Sequence, residues 1–373
     1  MRIFYAVDSS PNPEFASLLW RANLRDSFVT MGHEVVEFDY DIAGTFRHLD
    51  FSRPQDRSFI EKNRPRLSME LVRQLRAAHA VKPVSLFFSY FYDACVEPAA
   101  IEEIKSLGIV TMNWFCNASY QFHLVREISP HYDWCLVPEK FRLSDYKAIG
   151  ATPVYCQEAA NPAVYKPCDV PRDLDVSFVG QCYGDRPENV RHLLDHGINV
   201  HVWGARWEYR RQPPHSSNPV RRVLGKAMRA ILPSPPEGVI LPVDVVGGVL
   251  SDEEMIAVFS RSKINLGFSS CGDTHRGTER ILQIRLRDFE VPMSGGFYLV
   301  EQMDELAEFF EIDREIVCYG SRDELVDKIR FYLKNETARE AIRRAGYERA
   351  RRDHTWQRRF EAVFSQIGLP SKT

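Results

Sequence analysis

The sequence predicts an α/β protein with two Rossmann-like, doubly wound domains that face each other across a cleft. Short apolar runs of strand length alternate with amphipathic, helix-like segments in both halves of the chain. Strands that alternate with helices pair in parallel through right-handed crossovers, so each half predicts a parallel sheet. The length of 373 residues exceeds one ordinary core, and it suits two domains of roughly 100–200 residues each.

The first half of the chain contains the clearest alternation. Its apolar, strand-like runs occupy residues 3–7, 33–38, 84–92, 109–115 and 134–137. Apolar side chains recur at helical spacing in residues 15–28, 66–80 and 99–107. Gly32, Pro83 and Gly108 follow these helical segments and are typical signals for a helix end. We therefore expect an N-terminal Rossmann-like domain over residues 1–165.

The second half repeats the alternation from about residue 170. Its strand-like runs occupy residues 175–180, 198–204, 264–268, 297–300 and 315–319. Its helical segments occupy residues 187–196, 252–261, 280–290, 321–334 and 336–353. We expect a C-terminal Rossmann-like domain over residues 166–350, and a last helix within 351–373 that packs back toward the first domain.

Composition narrows the class of protein. The chain is 44% apolar and 27% charged, as globular domains are, and its net charge of −3 disfavours nucleic acid as the main ligand. No run approaches the ~18 apolar residues of a membrane span, and the first apolar run is too short for a signal peptide. We therefore expect a cytoplasmic protein. The eight cysteines are scattered without a C-x-x-C pair, which favours buried thiols over disulfides or a metal site.

Residues 280–296 carry the most unusual combination of side chains. Arg285 and Arg287 stand at a predicted helical segment, and a nucleoside diphosphate requires both cations and the free N–H groups of a helix start. Glu290 could accept hydrogen bonds from ribose hydroxyls, as acidic residues do in dinucleotide sites. Two consecutive glycines near the end of the segment allow a tight turn. A solvated basic helix face followed by a turn explains the same pattern equally well.

Four pieces of the second half resemble a known family. They are Asp175-Val-Ser-Phe-Val-Gly-Gln-Cys-Tyr-Gly-Asp-Arg186, Gly197-Ile-Asn-Val-His-Val-Trp-Gly204, Arg285-Leu-Arg-Asp-Phe-Glu-Val-Pro-Met-Ser-Gly-Gly-Phe-Tyr-Leu299 and Glu315-Ile-Val-Cys-Tyr319. Their order and spacing resemble the glycosyltransferase group-1-like family that includes the CgeB-type spore-maturation proteins. The first half resembles that family only loosely.

The resemblance implies a GT-B fold, in which the N-terminal domain binds an acceptor and the C-terminal domain binds a nucleotide-sugar donor. The implied donor-binding residues are Gly180, Arg186, Arg280, Arg285, Arg287, Glu290, Gly295 and Gly296. In this assignment Glu290 binds the ribose and the arginines lie by the diphosphate. Many related retaining enzymes have a second glutamate eight residues earlier, where this chain has Leu282, so the stereochemical outcome stays open.

The sequence thus predicts a glycosyltransferase that uses a UDP- or GDP-sugar, with no other cofactor. The implied acceptor is a glycan, a lipid-linked molecule or a protein. Two alternatives keep the fold and change the function. One is a sugar-nucleotide epimerase or a phosphorylase-like enzyme, and the other is a non-catalytic protein that binds a nucleotide sugar or a glycan.

A base that activates the acceptor hydroxyl is expected from the first domain, across the cleft. Asp93 and His123 are the candidate catalytic residues, because they follow the third and fourth apolar runs. Asp8 and the other residues of 113–123 occupy similar positions. Asp93 is also well placed to cap a helix, and His123 to be an ordinary packed or surface histidine.

Three other motifs have plain structural explanations. Asp39-Tyr-Asp41 and Asp173-Leu-Asp175 spell D-x-D, but each flanks a strand, where carboxylates commonly cap or solvate the end. His192 and His196 lie one helical turn apart, which could clamp zinc, yet no third ligand is apparent in the sequence. We predict no metal. Neither G-x-G-x-x-G nor G-x-x-x-x-G-K-[ST] occurs.

Residues 219–232 form an amphipathic, basic stretch within a proline-rich insertion. Such a stretch could contact a membrane surface or an anionic partner, although packing on its own domain is the commoner arrangement.

Overall fold

The computed structural model describes residues 1–8, 20–210, 238–271 and 280–371. These residues form two lobes, each built on a parallel sheet. The first sheet has six strands in the order β2-β1-β3-β4-β5-β6. Its strands are β1 (Arg2–Ala6), β2 (Glu34–Glu37), β3 (Leu86–Ser89), β4 (Val110–Trp114), β5 (Trp134–Val137) and β6 (Pro153–Tyr155).

Helices cover this first sheet. They are α1 (Asp26–Thr30), α2 (Pro54–Val81), α3 (Pro98–Ser106), α4 (Ala118–Gln121) and α5 (Leu143–Ala148). Helix α2 begins well before the predicted segment and runs through Pro65. The central strand β3 is buried along its whole length, because a parallel sheet is covered on both faces.

The second sheet has five strands in the order β11-β10-β9-β7-β8. Its strands are β7 (Leu174–Val179), β8 (Val200–Trp203), β9 (Ser262–Gly267), β10 (Tyr298–Glu301) and β11 (Val317–Tyr319). Its helices are α6 (Arg186–Asp195), α7 (Asp252–Arg261), α8 (Leu286–Met293), α9 (Arg322–Lys334) and α10 (Glu336–Asp353).

Both sheets follow one topology. The first five strands of each lobe have the spatial order 2-1-3-4-5, and every pair of neighbours is parallel. In such doubly wound sheets the chain reverses its direction of winding between strands 1 and 3. These switch points lie between β1 and β3 in the first lobe and between β7 and β9 in the second, and ligands bind at the carboxyl ends of the strands there. The prediction of two doubly wound domains is confirmed.

The C-terminal helix α11 (Trp356–Ile367) leaves the second lobe and packs on the first. Trp356, Phe360 and Phe364 are fully buried within the hydrophobic core of the first lobe. The rings of Phe360 and Phe28 lie 4.2 Å apart between centroids. The chain therefore crosses between the lobes twice, near residues 160–170 and again at the start of α11.

Side chains also join the lobes directly across the cleft. The Ser119 hydroxyl donates to Gln283, and Lys140 forms an ion pair with Glu308. The Tyr155 hydroxyl donates to Glu305 over 2.7 Å.

One predicted helix starts in the wrong place. Residues 280–290 were expected to be helical throughout, but α8 begins only at Leu286. The N–H of Cys271 donates to the carbonyl of Ile281 over 3.0 Å, and the N–H of Gln283 donates to the carbonyl of Ser269 over 3.1 Å. This short antiparallel pairing holds the segment extended, which helical periodicity alone does not reveal.

Two further expectations concern the whole chain. None of the eight cysteines, all of which lie among the described residues, forms a disulfide, and seven of them are buried. None of the helices that the structure describes is both long and apolar enough to cross a membrane. The amphipathic stretch 219–232 lies outside the described residues.

Candidate active site

The N-terminus of α8 lies at the carboxyl edge of the second sheet, because the helix leads into β10. Arg285 is its extended N-cap residue, and Asp288 accepts a hydrogen bond from the Arg285 N–H over 2.7 Å. The Tyr298 hydroxyl holds the other oxygen of Asp288 at 2.7 Å. The N–H groups of a first helical turn lack intrahelical partners and carry the positive end of the helix dipole. This end of α8 is therefore suited to an anion.

Three arginines converge on the switch point of the second sheet. Arg287 donates to the carbonyl of Val179, the last residue of β7, over 3.3 Å. Two more bind carbonyls just beyond β9. Arg285 donates to Ser270 over 2.7 Å, and Arg186 donates to Phe268 over 3.1 Å. Two distant sequence segments thus bring three cations to one point at the carboxyl edge.

Arg186 owes its position to aromatic packing. Its guanidinium is buried and lies 3.8 Å above the ring centroid of Tyr183 and 5.1 Å from that of Phe178. A Cβ on Gly180 would come within 2.7 Å of the Phe178 ring and 3.3 Å of Arg186. The absence of a side chain at Gly180 therefore leaves room for Phe178 and Arg186 to pack together at the carboxyl edge of the sheet.

Glu290 is completely buried in the second turn of α8. One carboxylate oxygen pairs with Arg287. The other, Oε1, is buried and makes no hydrogen bond of good geometry, and the buried Tyr165 hydroxyl near this carboxylate is unpaired as well. Buried polar atoms are nearly always satisfied, and an orphaned acceptor of this kind calls for an explanation such as an absent ligand. A ligand hydroxyl would satisfy it.

Arg280 has a different environment from the other three arginines. It pairs with Glu301 at the end of β10 and donates to Asp185 over 2.9 Å. Two carboxylates neutralise its charge, and Arg280 links the end of β10 to the loop that precedes α6.

Gly295 and Gly296 lie at the other end of α8. They precede β10 and so stand at the amino edge of the sheet, about 12 Å along the helix from the anion-suited end. Gly295 has a φ of +69°, and a Cβ on it would come within 2.8 Å of Pro167. A Cβ on Gly296 would come within 2.7 Å of Asn265. The pair ends the helix and allows close packing, and the structure places it apart from the arginines.

Asp93 and His123 both follow strands of the first sheet, as the sequence indicates. Asp93 is buried and accepts hydrogen bonds from the N–H groups of Glu127 and Ile128, at 3.1 and 3.0 Å. Burial raises the pKa of Asp93 to about 6, although these hydrogen bonds partly oppose the shift. His123 is exposed. Asp93 does not cap the helix that follows it, because the N-cap residue of α3 is Glu97, and its carboxylate instead holds a turn of the first lobe.

Two carboxyl groups that sequence reasoning missed face the second lobe. Glu139 and Glu158 are buried and follow β5 and β6. Burial raises the pKa of Glu139 to about 7 and that of Glu158 well above its usual value, and nearby Arg285 partly offsets both shifts. Glu139 accepts a hydrogen bond from the Ser119 N–H over 3.2 Å, while its Oε2 atom is buried without a partner. It also lines a small pocket together with Gln283 of the second lobe.

The D-x-D motifs are occupied by local contacts. Asp173 forms an ion pair with Arg261 at 2.7 Å, and Asp175 forms one with Lys263 at 2.6 Å. In the other motif, Asp41 accepts a hydrogen bond from the N–H of Ala43. These partners explain the motifs as caps and ion pairs at strand ends.

Comparison with known proteins agrees with the fold. Residues 186–365 match the model of a family described as glycosyl transferase-like. No curated protein sequence matches the chain at a significant level. Together, the family match and the two-lobed fold support a glycosyltransferase of the GT-B type.

Several solved structures are similar over nearly the whole chain. Sucrose-phosphate synthase from Thermosynechococcus elongatus has a TM-score of 0.57 at 13% identity, covering 98% of this chain and 97% of that one. Anabaena HepE, in complex with UDP-glucose, has a TM-score of 0.58 at 10% identity and 99% coverage of both chains. A glycosyltransferase from Rickettsia africae has a TM-score of 0.56 at 10% identity, covering 98% and 97%. At such identities the likeness is one of fold.

Proposed function

We propose that this protein transfers a sugar from a nucleoside diphosphate sugar to an acceptor hydroxyl, with its donor bound at the N-terminus of α8. The observation that carries the proposal is the meeting of three arginines, a helix N-terminus and the orphaned Oε1 of Glu290 at the switch point of the second sheet. A diphosphate needs the first two, and a ribose hydroxyl satisfies the third. The proposed donor is a UDP- or GDP-sugar. HepE, which shares the fold, was solved with UDP-glucose and with UDP.

Arg285 is the proposed main partner of the diphosphate. It is anchored to Ser270 of its own lobe and lies near Glu158 of the other lobe. Negative charge grows on the diphosphate as the sugar bond breaks. Fixed cations and oriented helix N–H groups stabilise such charge without having to reorganise during the reaction. In this proposal the transfer needs no metal ion.

The acceptor is proposed to bind on the first lobe, at the carboxyl ends of β4, β5 and β6. Asp93 and His123 stay candidates for the base, and Glu139 joins them because it lies beside Arg285 of the donor lobe. A general base works best when its pKa is near the working pH, and the pKa of Glu139 is raised to about 7. The motifs that resemble the CgeB-type proteins favour that branch of glycosyltransferases.

Glu290→Gln tests the donor site. The neutral amide keeps the side-chain volume but offers a weaker acceptor, so we expect UDP and UDP-glucose to bind about 10-fold or more weakly by isothermal titration calorimetry. Glu340→Gln is the matched control, since Glu340 pairs with Arg343 three residues away on a helix outside the site. Circular dichroism confirms that both variants are folded. Equal affinity in the wild type and the Glu290 variant would refute the ribose assignment.

The same titrations, followed by product analysis, separate the alternatives. Transfer or slow hydrolysis of the donor supports a transferase. A changed sugar configuration on the nucleotide indicates an epimerase. Binding without any turnover indicates a binding protein. Failure of UDP, GDP and their sugars to bind at all contradicts the proposal as a whole.

In the presence of an acceptor that is turned over, Asp93→Asn, His123→Gln and Glu139→Gln identify the base. Only loss of the base lowers the turnover number strongly while leaving the affinity for UDP unchanged.

A further inference from the structure

A histidine on α6, the histidine at its C-cap and an aspartate on α9 form a cluster away from the proposed donor site. His192 and His196 lie one helical turn apart, and Asp323 stands in the first turn of the neighbouring helix α9. One ligand atom from each side chain lies within 4.8 Å of the other two. Among the described residues, this is the one group of three such side chains that comes so close together. Folding thus supplies the third ligand that the sequence did not reveal.

A hydrogen bond of His196 leaves its second ring nitrogen available to a metal. The centroids of the two histidine rings lie 4.2 Å apart, and Nδ1 of His196 forms a hydrogen bond of 2.8 Å with the carbonyl of His192. When a neutral imidazole donates Nδ1–H to a carbonyl, its Nε2 lone pair is free to bind a metal, and such bonds commonly orient ligating histidines. Nε2 of His192 is shielded from solvent and makes no hydrogen bond, and Oδ1 of Asp323 lies 3.3 Å from it.

The helices that carry these ligands are held in register on both sides of the cluster. Arg322 donates to the side-chain oxygen of Asn189 over 2.6 Å, and Arg330 donates to the carbonyl of His196 over 2.9 Å. Asp323 is highly exposed, with 87% of its side chain accessible, so it is free to rotate toward the histidines. Ligand atoms around a tetrahedral zinc ion are about 3.3–3.5 Å apart. Side-chain movements that bring two ligand atoms at most about 1.5 Å closer therefore complete the geometry from 4.8 Å, with no shift of either helix.

We propose that His192, His196 and Asp323 form a binding site for a divalent transition-metal ion, Zn²⁺ being the best match, that ties α6 to α9. Two imidazoles and one carboxylate are ligands that zinc accepts readily, whereas Mg²⁺ and Ca²⁺ require oxygen ligands. His192 lies six residues, or about 9 Å, along α6 from Arg186. The site therefore stands apart from the donor chemistry, and its three protein ligands leave the fourth position to water. Because α6 begins at Arg186, the ion would stabilise the helix that presents that arginine.

The test is zinc titration of the full chain, without a polyhistidine tag, at pH 7.5 in a buffer that does not bind metals. We expect one equivalent of Zn²⁺ to bind and to raise the melting temperature, since an ion that binds only the folded state stabilises it. His196→Gln and Asp323→Asn alter exposed side chains, so both variants should fold normally. Each should weaken zinc binding at least about 10-fold and reduce the rise in melting temperature. Mg²⁺ and Ca²⁺ should produce neither effect.

His131→Gln is the matched control, because His131 forms an exposed pair with Glu102 at 2.9 Å that lacks a second histidine. This variant should bind zinc as the wild type does. Absence of saturable zinc binding overturns the proposal. So does zinc binding that survives both His196→Gln and Asp323→Asn, because the ion would then be held elsewhere, for example at the N-terminal amine and His33, which lie 3.1 Å apart.

Discussion

Glu139 shows how one buried carboxyl can respond to pH. It is 3% exposed, one of its oxygens accepts a backbone N–H, and the other has no partner. Burial raises its pKa to about 7, and Arg285 opposes that shift. The folded protein therefore holds this proton more tightly than the unfolded chain does. By linkage, its contribution to the free energy of unfolding is present below about pH 4.5 and is lost as the pH rises toward 7.

Glu139→Gln should remove this pH dependence. We expect the stability of the variant relative to the wild type to increase between pH 5 and pH 7.5, by on the order of 2 kcal/mol. The measurement is urea unfolding at several pH values. Burial lowers the pKa values of His33 and His354 to about 4 and 3, so their contribution to stability is lost as the pH falls. The wild type and the variant both contain these histidines, so their effect cancels in the comparison. A constant stability difference across this range would show that Glu139 has an ordinary pKa.

The chemistry of single residues was predictable only where a motif was local. The cations of residues 285–290 stand on one short segment, so their convergence could be read from the sequence. Glu139 and Glu158 come from separate strand ends, and only the sheet order brings them to Arg285. A search for every acidic residue that follows an apolar run would have found both. The sequence did not reveal Asp323 as a neighbour of the histidine pair for the same reason, since Asp323 lies 127 residues after His196 in the chain.

Helix α8 shows how residues that are close in the sequence can lie at opposite ends of one element. Its N-terminus, beside Arg285, points toward the cleft, whereas Gly295 and Gly296 end it at the opposite edge of the sheet. The sequence reasoning placed arginines and glycines in one site because they lie within about a dozen residues. A helix of eight residues separates its ends by about 12 Å, so both ends cannot contact one diphosphate.

Gly295→Ala tests this placement of the helix end. The substitution forces a residue with a Cβ to keep a φ of +69° and brings that Cβ within 2.8 Å of Pro167. We expect a loss of about 1–3 kcal/mol in the free energy of unfolding, measured by urea titration. Gly108→Ala is the control, since Gly108 has a φ of +77° with open space around it and so reports the backbone strain alone. The affinity for UDP should not change. A weaker affinity in a variant that remains folded would place Gly295 at the donor site after all.

Regular elements were predictable because their signals are local. Helix α7 and strand β5 match the predicted bounds, as their flanking residues and apolar runs indicate. The predicted start of α8 was wrong, because residues 281–283 are held extended by hydrogen bonds with residues 269–271, which are not adjacent in the sequence. Helix α5 and strand β6 were missed altogether, since six and three residues are too short for a clear period.

The two lobes are held together by buried contacts as well as by the chain itself. His354 precedes α11 and is buried, with Nε2 hydrogen-bonded to the carbonyl of Phe309 at 2.7 Å. Burial lowers its pKa to about 3, so the ring is neutral and donates from Nε2. Arg359, on α11, donates to the carbonyl of Gln157 and lies 5.3 Å from the ring of Phe289 on α8. The first turn of α11 thus contacts both the segment that follows β6 and helix α8 of the proposed donor site.

Phe360→Ala tests the role of α11 in the first lobe. Phe360 is fully buried among first-lobe rings, 4.2 Å from Phe28 and 5.9 Å from Phe88 between centroids. Removing the ring leaves a cavity in that core, so we expect a loss of about 3–5 kcal/mol in the free energy of unfolding. Phe331→Ala is the control, because Phe331 is 52% exposed on α9 and should change stability little.

Hydrogen exchange shows which lobe is affected. The amides of β1 and β3 should exchange faster in the Phe360 variant, while those of β9 stay close to the wild-type rate, since β9 belongs to the other core. We expect this difference between the lobes because the buried side chains of α11 belong to the hydrophobic core of the N-terminal lobe. Faster exchange confined to the second lobe would mean that α11 stabilises the lobe it leaves, contrary to its packing. Equal loss of protection in both would mean that the lobes unfold as one cooperative unit, coupled through the contacts of Gln283 with Ser119 and of Arg359 with Phe289.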